Sequence, residues 1–371
     1  MDLTLTEDQE LIRDAARELL ESRCATAGVR AMEDDPAGYS SGLWKELVEL
    51  GWTGLALPEA CGGLGAGFLE VCLVIEELGR CQVPSPLAAT VVGCGLPIAR
   101  FGTDEQRAEW LEAIVRGRVM TAAPARWDRD GTAEVTATPA AGSGDGFLLT
   151  GTAAFVPYAH VAEDLLVVAD VAGGGGPAAF LVDAGAAGLS LEPQAALGAD
   201  RPHRVGFDGV RVPAGRALPG GAAAATAISA YGAAATCAEL VGAAQRVLDM
   251  TVEYATEREQ FGKPIGAFQA VQHLCADMAM DVLTSRFIAY EAIWRLSAGL
   301  EAAMEVSMAK AWVSEAAERV CARGHQVHGA IGFTREHDLH LYTRHAMAAA
   351  LRFGDGDHHV ERVARLLDLP G

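Results

Sequence analysis

Near residue 119 the chain changes texture, and near residue 222 it changes back. Before 119 apolar residues recur at helical spacing. From 119 to 218 short apolar runs (FLLTG, LLVVA, AAFLV, VGFDGVRVP) alternate with Gly, Asp and Pro, the spacing of strands and turns. Beyond 219 helical spacing returns in longer runs, the first of them, about 222–257, without a proline. The β part is too short to be half of the chain and lies between helical blocks. This order fits a mainly α fold with inserted β better than an alternating α/β fold. It predicts an α-helical domain over 1–118, a β-barrel over 119–218 and an α-helical domain over 219–371.

Single elements carry their own signals. Thr6 with Gln9 makes a capping box, and Leu11, Ile12, Ala15, Leu19 and Leu20 mark one apolar face. LWKELVEL (43–50) reads as a helix stopped by Gly51, and FLEVCLVIEELG (68–79) as another. TDEQRAEWLEAIVRG (103–117) runs from a capping Thr103 to Gly117. LPEACGGLGAG (57–67) and GGGGP (173–177) read as turns. Helices are expected over about 266–298 and 300–325, with a last one in HHVERVARLLDL.

A net charge of −20 argues against nucleic acid or an anionic membrane surface as a partner. It leaves room for an anionic ligand, because a local Arg outweighs the overall field. No apolar run reads as long enough to span a bilayer. The acidic, amphipathic beginning is unlike a secretory signal. The eight cysteines are scattered without a CxxC, so free buried thiols (Cys72, Cys94, Cys237, Cys275) in a reducing cytoplasm are expected, and no metal.

Two segments carry chemistry. In EREQFGKPIGAFQ, Arg258 is a fixed cation with a planar donor fork suited to phosphate oxygens. Gln260 adds amide donors, Phe261 can cover a ring, and Gly262 is expected to end the helix. Alternatively Arg258 pairs with helix carbonyls or Glu257, and Phe261 packs in the core. In QVHGAIGFTRE, Gly329 and Gly332 interrupt a helix and would let backbone approach a ligand, with Gln326 and His328 as donors. The alternative is an ordinary helix corner.

Together with the helix–β–helix order, these segments resemble the acyl-CoA dehydrogenase flavoproteins. The resemblance spans nearly the whole chain: LTEDQELIRDAARELL, GWTGLALPEACGGLGAGFLEVCLVIEELGR, FGTDEQRAEWL, VGFDGVRVPAGRAL, YATEREQFGKPIGAFQAVQHLCADM and QVHGAIGFT. It implies a C-terminal four-helix bundle, an FAD cofactor and an oligomer, usually a tetramer. It assigns Arg258, Gln260 and Phe261 to the pyrophosphate and adenosine end of an FAD bound to a neighbouring subunit. Gln326, Gly329 and Ala330 would lie along the same cofactor, Ala330 standing where the family usually has glycine. Phe155 matches the aromatic beside the flavin. The implied reaction is α,β-dehydrogenation of an acyl thioester, on CoA or an acyl carrier protein, with electrons passed to an electron-transfer flavoprotein.

The sequence departs from the family in three places. The family's base is commonly a Glu in Tyr-Glu-Gly-Thr, and LRFGDGDHHVERVARLL puts Gly354, Asp355, Gly356 and Asp357 on those positions. Asp355 is one methylene shorter, and either serves as the base or caps the next helix. Asp357 replaces a hydroxyl near FAD, and its charge would act on Asp355 unless His358 and His359 offset it. The family's other base position falls on Gly232, with Glu239 two turns along. AAPARWDRDG (122–131) replaces the usual flavin-contacting stretch, and Pro157 stands where a Ser or Thr normally reaches N5, with Tyr158 or water as a substitute. Gly354 for Tyr suggests a wider pocket and a bulky or polar acyl group. Three functions follow: a dehydrogenase with Asp355 as base, an FAD-binding and catalytically weak subunit whose related partner chain supplies the base, or a nitroalkane-oxidase-like flavin oxidase with an Asp base.

Overall fold

The computed structural model describes residues 4–23, 26–125, 133–140 and 146–369. In chain order the helices are α1 (Glu7–Arg23), α2 (Thr26–Asp34), α3 (Ser41–Glu49), α4 (Phe68–Cys81), α5 (Leu96–Phe101), α6 (Asp104–Gln106), α7 (Glu112–Val115), α8 (Ala222–Glu257), α9 (Gln269–Ser297), α10 (Ala303–His328), α11 (Leu339–Leu351) and α12 (Gly356–Leu366). The strands are β1 (Met120–Ala123), β2 (Val135–Pro139), β3 (Gly146–Val156), β4 (Asp164–Val171), β5 (Gly176–Asp183), β6 (Leu189–Pro193), β7 (His203–Pro213), β8 (Glu259–Gln260) and β9 (Lys263–Pro264). By contact the chain parts into two compact units: Met1–Arg30, Cys72–Val83 and Ala233–Gly371, and Ala31–Val71 and Pro84–Gly232.

The first unit is helical. α1 opens on the expected box, the Thr6 amide donating to Gln9 Oε1 at 3.0 Å and the Gln9 amide to Thr6 Oγ1 at 3.3 Å. Its buried stripe is Ala16 and Leu20, whereas Leu11 and Ala15 of the predicted face are exposed. Arg17 accounts for the rotation: it pairs at 2.6 Å with the buried Glu77, which draws this flank inward. α4 and α8 approach closely at two glycines. A Cβ on Gly79 would meet the Glu239 carbonyl, and one on Gly242 the Glu76 carbonyl. The buried Glu76 is compensated by Arg286 at 3.0 Å and the Tyr290 hydroxyl at 2.6 Å. α10 packs against α9, α11 and α12. By length and composition α8 is apolar enough to cross a membrane, against the sequence expectation. However, 78% of its apolar window is buried, which is how a core helix passes that test.

In the second unit α3 starts at Ser40, which accepts from the Leu43 amide at 3.2 Å, and buries Leu43, Trp44 and Leu47. The Thr103 box is present, with Gln106 Nε2 donating onward to the Gly215 carbonyl at 2.8 Å. Within 57–67, Gly63 packs so closely on the Leu57 carbonyl that a side chain is excluded. An unpredicted apolar segment, a π-helical turn Ala88–Gly95, leads into α5.

One seven-stranded mixed sheet forms the β part. β4 pairs with β5 antiparallel on one edge, and with β1 and then β2 in parallel on the other. β2, β3, β7 and β6 continue antiparallel. Ala137, Leu149, Val167, Phe180 and Val205, from five different strands, share one core, so the sheet curls around a single apolar interior. Ala172 to Gly175 form the turn between β4 and β5. Among the described residues the cysteines are free thiols. Cys72, Cys94 and Cys237 are buried as expected, and Cys275 only half-buried.

Candidate functional site

α8 ends at Glu257, and the next residues form a tight hairpin instead of a helix stop. Gln260 pairs with Lys263, leaving Phe261 and Gly262 as the two-residue turn at φ +55° and +78°. Two successive positive φ values are what the twist of a two-residue hairpin requires. Gly262 meets that need at no steric cost, and Phe261 meets it under strain. The Phe261 ring is 92% exposed and meets Phe268 only edge-on, at 6.1 Å. The Arg258 backbone is fixed at both ends, its amide donating to the Tyr254 carbonyl and its carbonyl accepting from the Ile265 amide, each at 2.8 Å. Among the described residues its guanidinium makes no ion pair, with Glu257 or any other acid. The core reading of Phe261 and the paired reading of Arg258 therefore both fail. The hairpin presents a cation and a bare ring on a rigid mount.

The second segment lies where α10 gives way to a 3-10 turn, Gly329–Phe333. Gly329 sits at φ +66°, ψ −143°, a region essentially restricted to glycine. Gln326, Gly329 and Ala330 are exposed. Gly332 is not free for a ligand, because a Cβ there would stand 3.1 Å from His325 Nδ1. His328 is buried as well. Its Nδ1 lies 2.8 Å from the Gly324 carbonyl, its ring stacks on Tyr254 at 4.6 Å, and burial lowers its pKa. It is a neutral core group and not the predicted phosphate donor. A shallow cleft of about 280 Å³ lies between the end of α8 and residues 336–338, with Tyr254, Glu257 and His328 in its wall.

The third segment is the corner between α11 and α12. Phe353 at φ +57° and Gly354 at φ +112° turn the chain, and Asp355 is the N-cap of α12. Asp355 Oδ1 accepts from the His358 amide at 2.8 Å. Its other oxygen has no bond among the described residues. Asp357 is exposed in the first turn of α12. The space beside Gly354 is already filled: a Cβ would stand 2.6 Å from His358 Cδ2 and 2.7 Å from His359 Nε2. The wider pocket inferred from this glycine is therefore not there. Nor does His359 offset charge. It is buried, its Nε2 lies 3.0 Å from the Phe353 carbonyl, and burial, with the Lys310 charge adding, pushes its pKa down to about 3. Glu239 is held by Arg352 at 2.8 Å and His345 at 3.5 Å. Burial alone would raise its pKa, but Arg352 and His345 outweigh that and lower it, so it makes a poor base.

Lys310 is the residue that the sequence reading missed. It is wholly buried beneath this corner, and burial pushes its pKa down to about 8. A signal was available. Val306, Ala309, Lys310, Val313 and Ala317 form one buried stripe of α10, and a lysine on such a stripe must find partners.

In the sheet unit, Phe155 lies in an irregularity of the β3–β7 ladder between Ala153 and Val156. At φ +56° it is lifted out of the pairing and is 60% exposed. Its amide donates to Gln194 Oε1 at 2.6 Å. Bulges of this kind re-aim a side chain outward. The Pro157 carbonyl accepts from Thr121 Oγ1 at 2.6 Å, and Tyr158 is buried edge-on to Tyr39. Of the 122–131 stretch, residues 126–131 lie outside the described residues. Within the helical unit, Arg258 without an ion pair among the described residues, the exposed ring of Phe261 and the open backbone at Gly329 suit a ligand carrying phosphates and a flat ring.

The chain is similar to known proteins in both sequence and fold. The family model described as acyl-CoA dehydrogenase, N-terminal domain, matches residues 6–118, and that of the C-terminal domain matches 220–367. The chain is 32% identical over 376 residues to "Acyl-CoA dehydrogenase FadE27" of Mycobacterium tuberculosis, covering 99% of each. Among solved structures it is similar to the ChsE4-ChsE5 complex from Mycobacterium tuberculosis (TM-score 0.92, 32% identity, all of both chains). It is also similar to a variant of the Tcur3481-Tcur3483 steroid ACAD (TM-score 0.91, 34% identity, 98% of this chain and 99% of that one).

Proposed function

Since the chain belongs to the acyl-CoA dehydrogenase family, whose members are flavin oxidoreductases acting on CH–CH groups, we propose that it dehydrogenates a bulky acyl-CoA with Asp355 as base. FAD is the cofactor, and when bound it supplies the acceptor for the hydride that leaves the β-carbon. Arg258 and Gln260 bind its phosphate oxygens, Phe261 covers its adenosine, and Gln326 with the backbone at Gly329 and Ala330 lines it. Phe155 flanks its ring, and Asp357 stands in for the family's hydroxyl. The observation that carries the base assignment is the state of Asp355. One carboxylate oxygen is fixed by the His358 amide, which orients the group, and the other is left to take the α-proton. A steroid-type acyl group is favoured by the similarity to a steroid ACAD, and no longer by Gly354. A tetramer with shared cofactors, in the cytoplasm, passing electrons to an electron-transfer flavoprotein, completes the reading.

Anaerobic reduction of the flavin by a panel of acyl-CoA thioesters tests it. Bulky thioesters should bleach the flavin, and Asp355→Ala should slow bleaching by about 10²–10⁴-fold. Preference for short linear chains would sink the acyl assignment. A second reading has its own support, because Asp355 is also a complete helix cap and two similar structures are of paired chains. In that reading this chain holds FAD and a related chain brings the base. Bound flavin that no thioester bleaches until a related chain is added would favour it.

A further inference from the structure

We propose that Lys310 is a positioning residue for Asp355: its ammonium clamps the α11–α12 corner from below and so sets where the carboxylate stands. The inference rests on the assignment of Asp355 as base.

Lys310 Nζ has three donors and spends all of them. It donates to Ser314 Oγ at 2.9 Å, to the Ala350 carbonyl at 2.7 Å and to the Gly354 carbonyl at 2.9 Å. Ala350 is in the last turn of α11, where helix carbonyls lack an intrahelical partner. The Gly354 carbonyl belongs to the peptide that enters Asp355. Between them the Phe353 carbonyl is held by His359 at 3.0 Å. Three carbonyls of this corner, 350, 353 and 354, thus end on buried side chains. Such restraint has a reason. Phe353 and Gly354 are both left-handed, and a strained pair persists only where its surroundings over-determine it.

The charge of Lys310 is not there for a salt bridge, since no carboxylate lies within ion-pair distance among the described residues. An apolar side chain of similar length would fill this space without the desolvation cost. What a lysine adds is the three donors, and two of them end on the corner. The corner also carries the shorter of the two possible carboxylates, and an aspartate has little reach with which to correct a misplaced backbone. A displacement of about 1 Å costs on the order of a hundredfold in rate.

The test uses the FAD-loaded protein and its Lys310→Met variant, in whatever assembly it purifies. Two readouts are compared: amide hydrogen exchange, and the rate and half-saturation of flavin reduction by an acyl-CoA that reduces the wild type. The proposal expects exchange over 353–359 to quicken at least tenfold while the middle of α9 keeps its protection. It also expects the maximal rate to fall by about ten- to a hundredfold, with half-saturation unchanged. Exchange unchanged at the corner, or quickened equally in all helices, overturns it. If the variant does not fold, the wild type decides. A clamped corner protects the His358 and His359 amides as well as the centre of α10, and corner amides that exchange orders of magnitude faster overturn the proposal. Asp355→Ala separates this from the premise. If Asp355→Ala reduces its flavin at the wild-type rate, the base assignment fails, and the clamp is judged by exchange alone.

Discussion

The 258–264 hairpin and the 352–359 corner are built alike and used in opposite ways. Each follows a helix, and each turns on two consecutive left-handed residues, one a phenylalanine and the other a glycine. At the hairpin the phenylalanine ring points out with only an edge contact to Phe268, and the nearby Arg258 makes no ion pair among the described residues. At the corner Lys310 and His359 reach in and tie down the backbone. A group meant for a ligand is left unsatisfied by its own chain, whereas a group that must stand at one place is held from behind.

Acidification should break the corner and spare the hairpin, which holds no histidine. His359 is neutral in the fold with its pKa near 3, against 6.5 when free. The unfolded chain therefore takes up the extra proton first as pH falls. The stability that His359 contributes is complete above 6.5 and is lost as pH drops towards 3, by at most about 4–5 kcal/mol. Urea unfolding measured between pH 7 and 4 should show a slope to which His328 and other half-buried histidines also contribute, and His359→Gln should make it shallower.

Alanine at the two turn glycines sharpens the same contrast. Gly354→Ala adds a Cβ under 3 Å from two histidines at φ +112°, and should cost about 2–4 kcal/mol in thermal or urea unfolding. Gly262→Ala meets open space at φ +78°, and should cost only the backbone strain, about 1 kcal/mol. Equal costs would mean that the corner is not packed from behind.

What the sequence made legible follows the same division. α8, α9 and α10 were read to within about three residues because long periodic runs end at breakers. α11 was not read, because Arg344 and His345 interrupt its apolar pattern, nor was 88–101, which is apolar all round and has no period to find. Strands β1, β2 and β6 are four or five residues long and carry too little pattern. The outward groups Arg258, Gln260 and Phe261 form a local motif and were legible as one. The corner was legible only in part. Asp355 read as a possible cap, but Gly354 read as a missing side chain when its role is a left-handed backbone, and Lys310 lies 45 residues away on another helix.

At the hairpin, Arg258→Ala should weaken FAD binding by about ten- to a hundredfold, the worth of a charge-assisted hydrogen bond. The apoprotein should keep its melting temperature, because the guanidinium has no partner among the described residues. Loss of stability in the apoprotein would mean that Arg258 serves the fold.

The smallest effect is the most telling, because its two readouts should move in opposite directions. A two-residue turn with both φ values positive favours Asn-Gly, and this chain has Phe-Gly. Phe261→Asn keeps the turn, relieves the strain of a bulky residue in the left-handed region and removes a ring that is 92% exposed. The apoprotein should gain about 1 kcal/mol in urea unfolding, while FAD retention on gel filtration falls. A ring that meets its own fold only at the edge of Phe268 among the described residues, and holds its backbone under strain, has its justification outside the chain. If Phe261→Asn lost stability and kept its FAD, the phenylalanine would be a folding residue after all, and the contrast between hairpin and corner would collapse.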